Sequence, residues 1–360
     1  MRLVLLTSSL TGGGAEKALS KIAARLAARD HQIDFIVCEN AQRNSGAYAP
    51  PAGCRFHVLA SSPSHSWLGK RYLAWRLRKL LADSAPDLVV STLPFADEVA
   101  MLAHVPHHVC RIANTLSAEI ERLPRSKAAR REKRYRTLYG SRRVVAVSFG
   151  VADDLRSHFG VDDRNLRVIA NPFDISGIRA QANAACAGRP APPYILHVGR
   201  YAPQKRHDLL LDAFATLDTP RTLVLLTPPN AALAEQISMR GLEERVLVAG
   251  FQTNPYPWMA GAELLVLCSD HEGLPNVLVE ALACGTRVVS TDCPSGPREI
   301  LSAEFAHCLV PCGEPAALAA AMHAVLAGPR PDPATVDRAL SPYATDRALD
   351  AWEALGREMS

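Results

Sequence analysis

The chain has 360 residues, of which 48% are apolar and 21% charged, with 40 Lys+Arg against 36 Asp+Glu. That length favours two cores over one, and that composition excludes a disordered or fibrous chain. The longest apolar runs, such as Leu88 to Val90 and Leu264 to Cys268, are strand-sized and far short of the ~18 residues that suggest a membrane span.

Met1 to Thr7 is too short for a secretory leader and runs directly into a glycine-rich loop, so it reads as a first strand, and a cytoplasmic location is expected. A helical pattern follows from Ala15 to Arg29, with Ala18, Leu19, Ile22 and Leu26 at i, i+3 and i+4 spacing. The next predicted elements are a strand from Ile33 to Cys38, a basic helix from Lys70 to Leu81, and strands at Asp87 to Ser91, Val144 to Ser148 and Leu166 to Ile169. Asn171-Pro172-Phe173-Asp174 breaks the alternation, and a polar Ala/Pro-rich stretch from Ala180 to Pro193 follows. Alternation then restarts, with strands predicted at 194–198, 222–227, 246–249, 264–267 and 287–290. Helices are expected near 206–217, 230–240, 257–261 and 276–284. A final helix, Tyr343 to Arg357, carries Ala348, Trp352 and Leu355 on one face. Strand–helix alternation of this kind implies parallel, doubly wound sheets in an α/β chain of two domains.

Charge divides the same way. Residues 1–170 hold 26 Lys+Arg against 15 Asp+Glu, and the remainder 14 against 21. The segment 122–143 alone holds ten basic residues and one acid, Glu132, interleaved with Leu123, Tyr135, Leu138 and Tyr139. This pattern suits a helix lying on an anionic membrane; a solvated helix is the plainer alternative, and no nucleic-acid-binding module accompanies it. Trp67, Leu68, Tyr72 and Trp75, interleaved with Lys70, Arg71, Arg76 and Arg78, form a second such stretch, facing a membrane, an acceptor or the core. The nine cysteines show no C-x-x-C pair. Cys308 and Cys312 lack partners at metal spacing, so reduced, buried thiols are expected and no metal site.

The chemistry concentrates in the segment from Asp270 to Gly285. Glu272 sits in a Glu-Gly-Leu-Pro turn, Glu280 follows after seven residues, and the turn opens a helix whose N–H groups suit phosphate. Two acceptor-only carboxylates suit hydroxyl-rich ligands. Glu280 lies among Val277, Leu278, Val279, Ala281 and Leu282, where a carboxylate needs a reason. Upstream, Gly199-Arg200-Tyr201-Ala202-Pro203-Gln204-Lys205 places two cations between a strand and a helix, where open α/β sheets bind ligands, although surface cations alone would look the same. Gly12-Gly13-Gly14 opens the first helix and suits an anion, or is only a tight turn. It is not G-x-G-x-x-G, so the dehydrogenase reading, with Glu39 as its acid, is weakly founded.

Taken together, the Glu-x7-Glu segment, its continuation to Ile300, the Gly-Arg…Lys element and the start Gly12-Gly13-Gly14-Ala15-Glu16 resemble retaining glycosyltransferases of family 4. The resemblance implies a GT-B fold: an acceptor domain at 1–172, a nucleotide-sugar domain at 173–342, a cleft between them, and a helix at 343–360 returning to the first. It implies that Arg200 and Lys205 hold the donor diphosphate and that Glu280 binds the ribose hydroxyls. Glu272 would lie by the donor sugar, with the backbone of Gly273, Leu274, Pro275 and Asn276 against sugar and phosphate, and Gly13 and Gly14 across the cleft. No metal or other cofactor is implied, only a nucleotide sugar as co-substrate, with UDP as the default. Two departures stand out. Thr227-Pro228-Pro229-Asn230 replaces a glycine-rich turn near the base. Asn114 stands where many members have a histidine, with His104, His107 and His108 nearby either as substitutes or, more plainly, as surface or core residues.

The reading is a cytoplasmic, membrane-peripheral glycosyltransferase acting on a lipid-linked, lipopolysaccharide or capsule saccharide. A sugar-nucleotide epimerase of the same fold and a non-catalytic nucleotide-sugar or polyanion binder are the alternatives.

Overall fold

The computed structural model describes residues 1–10, 13–39, 49–62 and 65–359. They form two compact units, Met1–Pro172 with Thr345–Ser360, and Phe173–Ala344.

In the first unit, seven strands form one parallel sheet: β1 (Arg2–Thr7), β2 (Gln32–Glu39), β3 (Arg55–Ala60), β4 (Leu88–Thr92), β5 (His108–Ile112), β6 (Val144–Ala146) and β7 (Leu166–Val168). Their order is β3-β2-β1-β4-β5-β6-β7. Parallel neighbours cannot be joined by tight hairpins, and most of the connections carry helices: α1 (Gly14–Ala27), α2 (Trp67–Leu81), α3 (Pro94–Ala103), α4 (Leu116–Glu121), α5 (Arg125–Tyr139) and α6 (Phe149–Phe159). Alternation along β1 sends Leu3 and Leu5 to one face, against Leu19 and Leu26 of α1. It sends Val4 and Leu6 to the other, with Leu73 and Leu77 of α2 and Val99 of α3. Both faces are covered, which is why these strands read as continuous apolar runs.

The second unit opens with α7 (Ile175–Ala182) and continues as β8 (Tyr194–Val198), α8 (His207–Thr216), β9 (Thr222–Leu226), α9 (Ala231–Ser238) and β10 (Val246–Val248). It goes on through α10 (Tyr256–Gly261), β11 (Leu264–Leu267), α11 (Asn276–Ala283), β12 (Arg287–Thr291), α12 (Pro297–Ile300), β13 (Leu309–Val310), α13 (Pro315–Ala327) and α14 (Pro333–Leu340). Its sheet is also parallel, ordered β10-β9-β8-β11-β12-β13. The last helix, α15 (Thr345–Met359), buries Ala348, Leu349, Trp352 and Leu355 in the first unit's core, and Arg29 binds its Asp346 and Asp350, each at 2.6 Å.

Several elements differ from the sequence reading. The helix expected from Tyr343 starts at Thr345, because Ser341–Tyr343 form a 3₁₀ turn and Tyr343 packs edge-on against Phe173. The basic helix starts at Trp67 rather than Lys70, since the Ser66 hydroxyl accepts from the Gly69 N–H at 3.1 Å. Strands β3, β5 and β13 and helices α3, α4, α6, α7, α12, α13 and α14 were not anticipated. The order of each sheet reverses once, at β1/β4 and at β8/β11, and ligands of open α/β sheets bind at such points, beyond the strands' carboxyl ends.

Candidate active site

In the second unit, the loops leaving β8 and β11 are the ones that carry Arg200, Lys205 and Glu272. They are stitched together. The Asp270 N–H donates to the Gln204 carbonyl at 2.9 Å, the Gln204 amide donates to the His271 carbonyl at 2.5 Å, and the Lys205 carbonyl accepts from Cys268 Sγ at 3.0 Å. The result brings Lys205 Nζ to 2.5 Å from Glu272 Oε1, with both side chains largely buried. Arg206, next to Lys205, sits in the left-handed region at φ 49°, a conformation that persists only when its surroundings enforce it. Asp208 at 2.9 Å and Asp270 at 3.0 Å provide that enforcement by holding its guanidinium, which raises its pKa. Arg200 is exposed at the edge of β8 and has no hydrogen-bond or ion-pair partner among the described residues.

Beneath this loop lies His197, fully buried in β8. It donates from Nδ1 to the Val266 carbonyl at 2.9 Å, and burial, then His207, holds its pKa well below the usual range. It is therefore neutral, and the cationic charge at this strand end belongs to Lys205 and Arg200. A side chain on Gly199 would meet His197 Nε2 at 3.1 Å and the Lys205 stem at 3.6 Å, so the glycine keeps this corner open.

The turn from Gly273 to Pro275 leads into α11, where Asn276 is the first residue. It packs against the loop after β12: the Glu272 N–H donates to the Pro294 carbonyl at 3.1 Å, and Gly296, at φ 95°, leaves no room for a Cβ beside the Gly273 carbonyl and Leu274 Cα. Glu280 faces inward from α11 and accepts from the Tyr256 hydroxyl at 3.3 Å. Burial, and then that carboxylate, raises the Tyr256 pKa, so the phenol stays a donor. The sequence reading missed Tyr256, Gln204, Arg206 and Gly296. Gln204 and Gly296 left a trace, as members of the Gly-Arg…Lys element and of the Pro-Ser-Gly-Pro run.

Gly13, Gly14 and Asn114 belong to the first unit. Gly12 lies outside the described residues. The Gly13 N–H donates to Glu16 Oε2 at 2.6 Å, and Ser9 donates to the same carboxylate at 3.0 Å, so a side chain of the protein already occupies this helix start. Gly14 has open space beside its Cα. Asn114 follows β5 and donates its amide to Glu119 Oε1 at 2.6 Å. Burial raises the Glu119 pKa, against the effect of that bond. The three histidines proposed as substitutes are not beside Asn114. His104, His107 and His108 precede or begin β5, six or more residues earlier and at the strand's opposite end, about 20 Å away for His108 along an extended strand. His108 instead lies 2.8 Å from the Ser91 hydroxyl.

Comparison with known proteins agrees across the chain. The family model for glycosyl transferases group 1 matches residues 192–328, and that for glycosyltransferase family 4 matches residues 12–176. Over 316 residues the chain is 28% identical to the N-acetylgalactosamine-N,N'-diacetylbacillosaminyl-diphospho-undecaprenol 4-alpha-N-acetylgalactosaminyltransferase of Campylobacter jejuni, covering 83% of each. A glycosyltransferase structure from Rickettsia africae superposes with a TM-score of 0.75 at 16% identity, over 99% of this chain and 98% of that one. Anabaena Alr3699/HepE, solved with UDP and glucose, superposes with a TM-score of 0.70 at 20% identity, over 99% and 98%.

Proposed function

Since the chain belongs to the glycosyl transferases group 1 and is a glycosyltransferase with two Rossmann-like units of the GT-B fold, we propose that it transfers a hexose or N-acetylhexosamine from a UDP-sugar to a lipid-linked or lipopolysaccharide-type saccharide, with retention at the anomeric carbon. The observation that carries this reading is the Lys205–Glu272 contact at the β8/β11 switch point. There a cation and a carboxylate stand within one ion pair of each other, on rigidly stitched loops beside the start of α11.

In this reading Lys205 and Arg200 offset the charge gathering on the leaving diphosphate. Donor binding draws Lys205 Nζ onto phosphate and leaves Glu272 to the sugar hydroxyls. Glu280, oriented by Tyr256, accepts from the ribose. The bond from C1 to the phosphate oxygen breaks, and the acceptor hydroxyl forms its bond to C1 on the same face. The hydroxyl proton passes to the departing phosphate, so no covalent enzyme intermediate forms. Asn114 orients a hydroxyl and is not a base, because an amide has no basic lone pair to offer. The diphosphate charge is met by side chains and helix N–H groups, so transfer is expected to persist in EDTA. The UDP found with Alr3699/HepE supports the donor base, and the diphospho-undecaprenol in the Campylobacter relative's name supports the acceptor class. The basic segment 122–143 supports peripheral residence on the inner membrane face, and among the described residues no helix is long and apolar enough to cross a membrane.

The test is a thermal-shift screen with UDP, GDP, ADP, TDP and their sugars, without added metal, on wild type and Lys205→Ala. A UDP-specific shift lost in the variant is expected; a shift with another nucleotide reassigns the donor, and none with any overturns the site.

A further inference from the structure

Helix α2 has two apolar sides. Inward, Leu73, Ala74, Leu77 and Leu81 join the core below the sheet. Outward, Trp67 is 66% exposed, Leu68 71%, Tyr72 47% and Trp75 52%. The helix contains no Asp or Glu, and cations fill the positions beside the rings. Each ring has a cation one turn further along: the Arg71 guanidinium lies 5.0 Å from the Trp67 centroid, Arg76 5.8 Å from Tyr72, and Lys79 5.6 Å from Trp75.

An exposed patch of this kind marks a partner surface. Its chemistry selects the partner. Protein interfaces are depleted in lysine at their centres, whereas a helix with aromatic rings and Lys/Arg side by side, and no acid, fits the boundary between lipid phosphates and acyl chains. There the ring enters and the cation reaches back to phosphate. The charge continues on α5. Lys70, on the inward side of α2, binds Glu98 of α3 at 2.6 Å, and Arg134 of α5 binds the same carboxylate, which links the three helices to one another. Burial would raise the Glu98 pKa, but Arg134 and Lys70 hold it below the usual carboxylate range, so this tie stays charged. A groove of about 290 Å³ between α3 and α5 is lined by Met101 and Leu138 together with Arg130, Lys133 and Arg134.

We propose that this face is a docking surface for an anionic phospholipid bilayer: Trp67, Leu68, Tyr72 and Trp75 enter the headgroup–acyl boundary, and the cations of α2 and α5 take the lipid phosphates. It rests on the membrane part of the proposed function, and it assigns insertion to α2, a role that the charge of 122–143 alone does not supply.

Cosedimentation with vesicles of phosphatidylglycerol and phosphatidylcholine, against phosphatidylcholine alone, tests it on wild type, Trp67→Ala/Trp75→Ala and Arg130→Gln/Lys133→Gln. The other two tryptophans, Trp258 and Trp352, are buried, so the indole emission reports on α2. Wild type is expected to bind the anionic vesicles with a blue-shifted emission. The tryptophan variant is expected to melt as wild type and bind at least about tenfold more weakly. The glutamine variant is expected to bind severalfold more weakly, with a shallower salt dependence. Binding by the tryptophan variant equal to wild type, or no binding by wild type to anionic vesicles, overturns the proposal. The UDP thermal shift, measured without vesicles, reports the donor site alone, so failure of transfer and failure of docking are read separately.

Discussion

The two sheets share a doubly wound topology and load their switch points oppositely. At β8/β11 the strand ends present Lys205 and Arg200 beside a helix start. At β1 the helix start is already occupied by Glu16, whose carboxylate takes the Gly13 N–H and the Ser9 hydroxyl. A topology that offers a helix start in both places thus has one of them taken by a carboxylate of the chain itself. A glycine-rich loop before a helix says where an anion could bind. The side chain three residues on says whether the place is taken.

That contrast can be broken most sharply at Lys205. Lys205→Ala removes the cation and strands Glu272, and is expected to lower the transfer rate about a hundredfold or more, measured as nucleotide release. A loss under tenfold would place the phosphate charge on Arg200 instead. Next are the two glycines. Gly296→Ala forces a Cβ onto the Gly273 carbonyl at φ 95°, and is expected to cost about 2–4 kcal/mol in chemical denaturation. At Gly13, φ is −74° and the nearest neighbour of a Cβ is the movable end of Glu16, so Gly13→Ala is expected to cost about 1 kcal/mol or less.

A pH effect separates the units further. Asp97 is buried in the first, accepting from Ser91 at 2.5 Å and from Tyr139 at 2.8 Å, and burial pushes its pKa from 3.8 up to about 7. The folded value lies above the unfolded one, so the unfolded chain releases the proton first as pH rises. The stability present below about pH 4 is then lost progressively until about pH 7, at up to about 1.4 kcal/mol per pH unit. Asp97→Asn should flatten that slope in urea titrations across the range, and an unchanged slope would assign it elsewhere. The smallest effect is at Tyr256→Phe, which takes one donor from Glu280 and should raise the donor KM severalfold with kcat unchanged.

Much of this was legible from sequence because the informative residues are contiguous. Glu272 and Glu280 fix the β11–α11 connection by spacing alone, and Lys205 follows its strand by a few residues. Features depending on distant partners were not legible: Gln204 reaching His271, Asp270 holding Arg206, and Tyr256 meeting Glu280. The histidines stand apart from Asn114 for a related reason. His108 is near Asn114 in sequence, but β5 between them separates the two to opposite ends of the strand. Strand β3 was missed because it is an edge strand, with polar residues among its apolar ones and only partial burial.

The docking of α15 has a consequence for how the chain is made. Leu349 and Trp352 belong to the same core as Leu3 and Leu5 of the first strand, yet all of Phe173–Ala344 is synthesised between them. On the ribosome the second unit emerges whole and can fold as a block, while the first waits with the part of its sheet that α15 covers still open. The first domain to begin is thus the last to finish, and truncation ahead of Thr345 would leave a nascent chain whose amino-terminal half exposes apolar surface to chaperones and proteases.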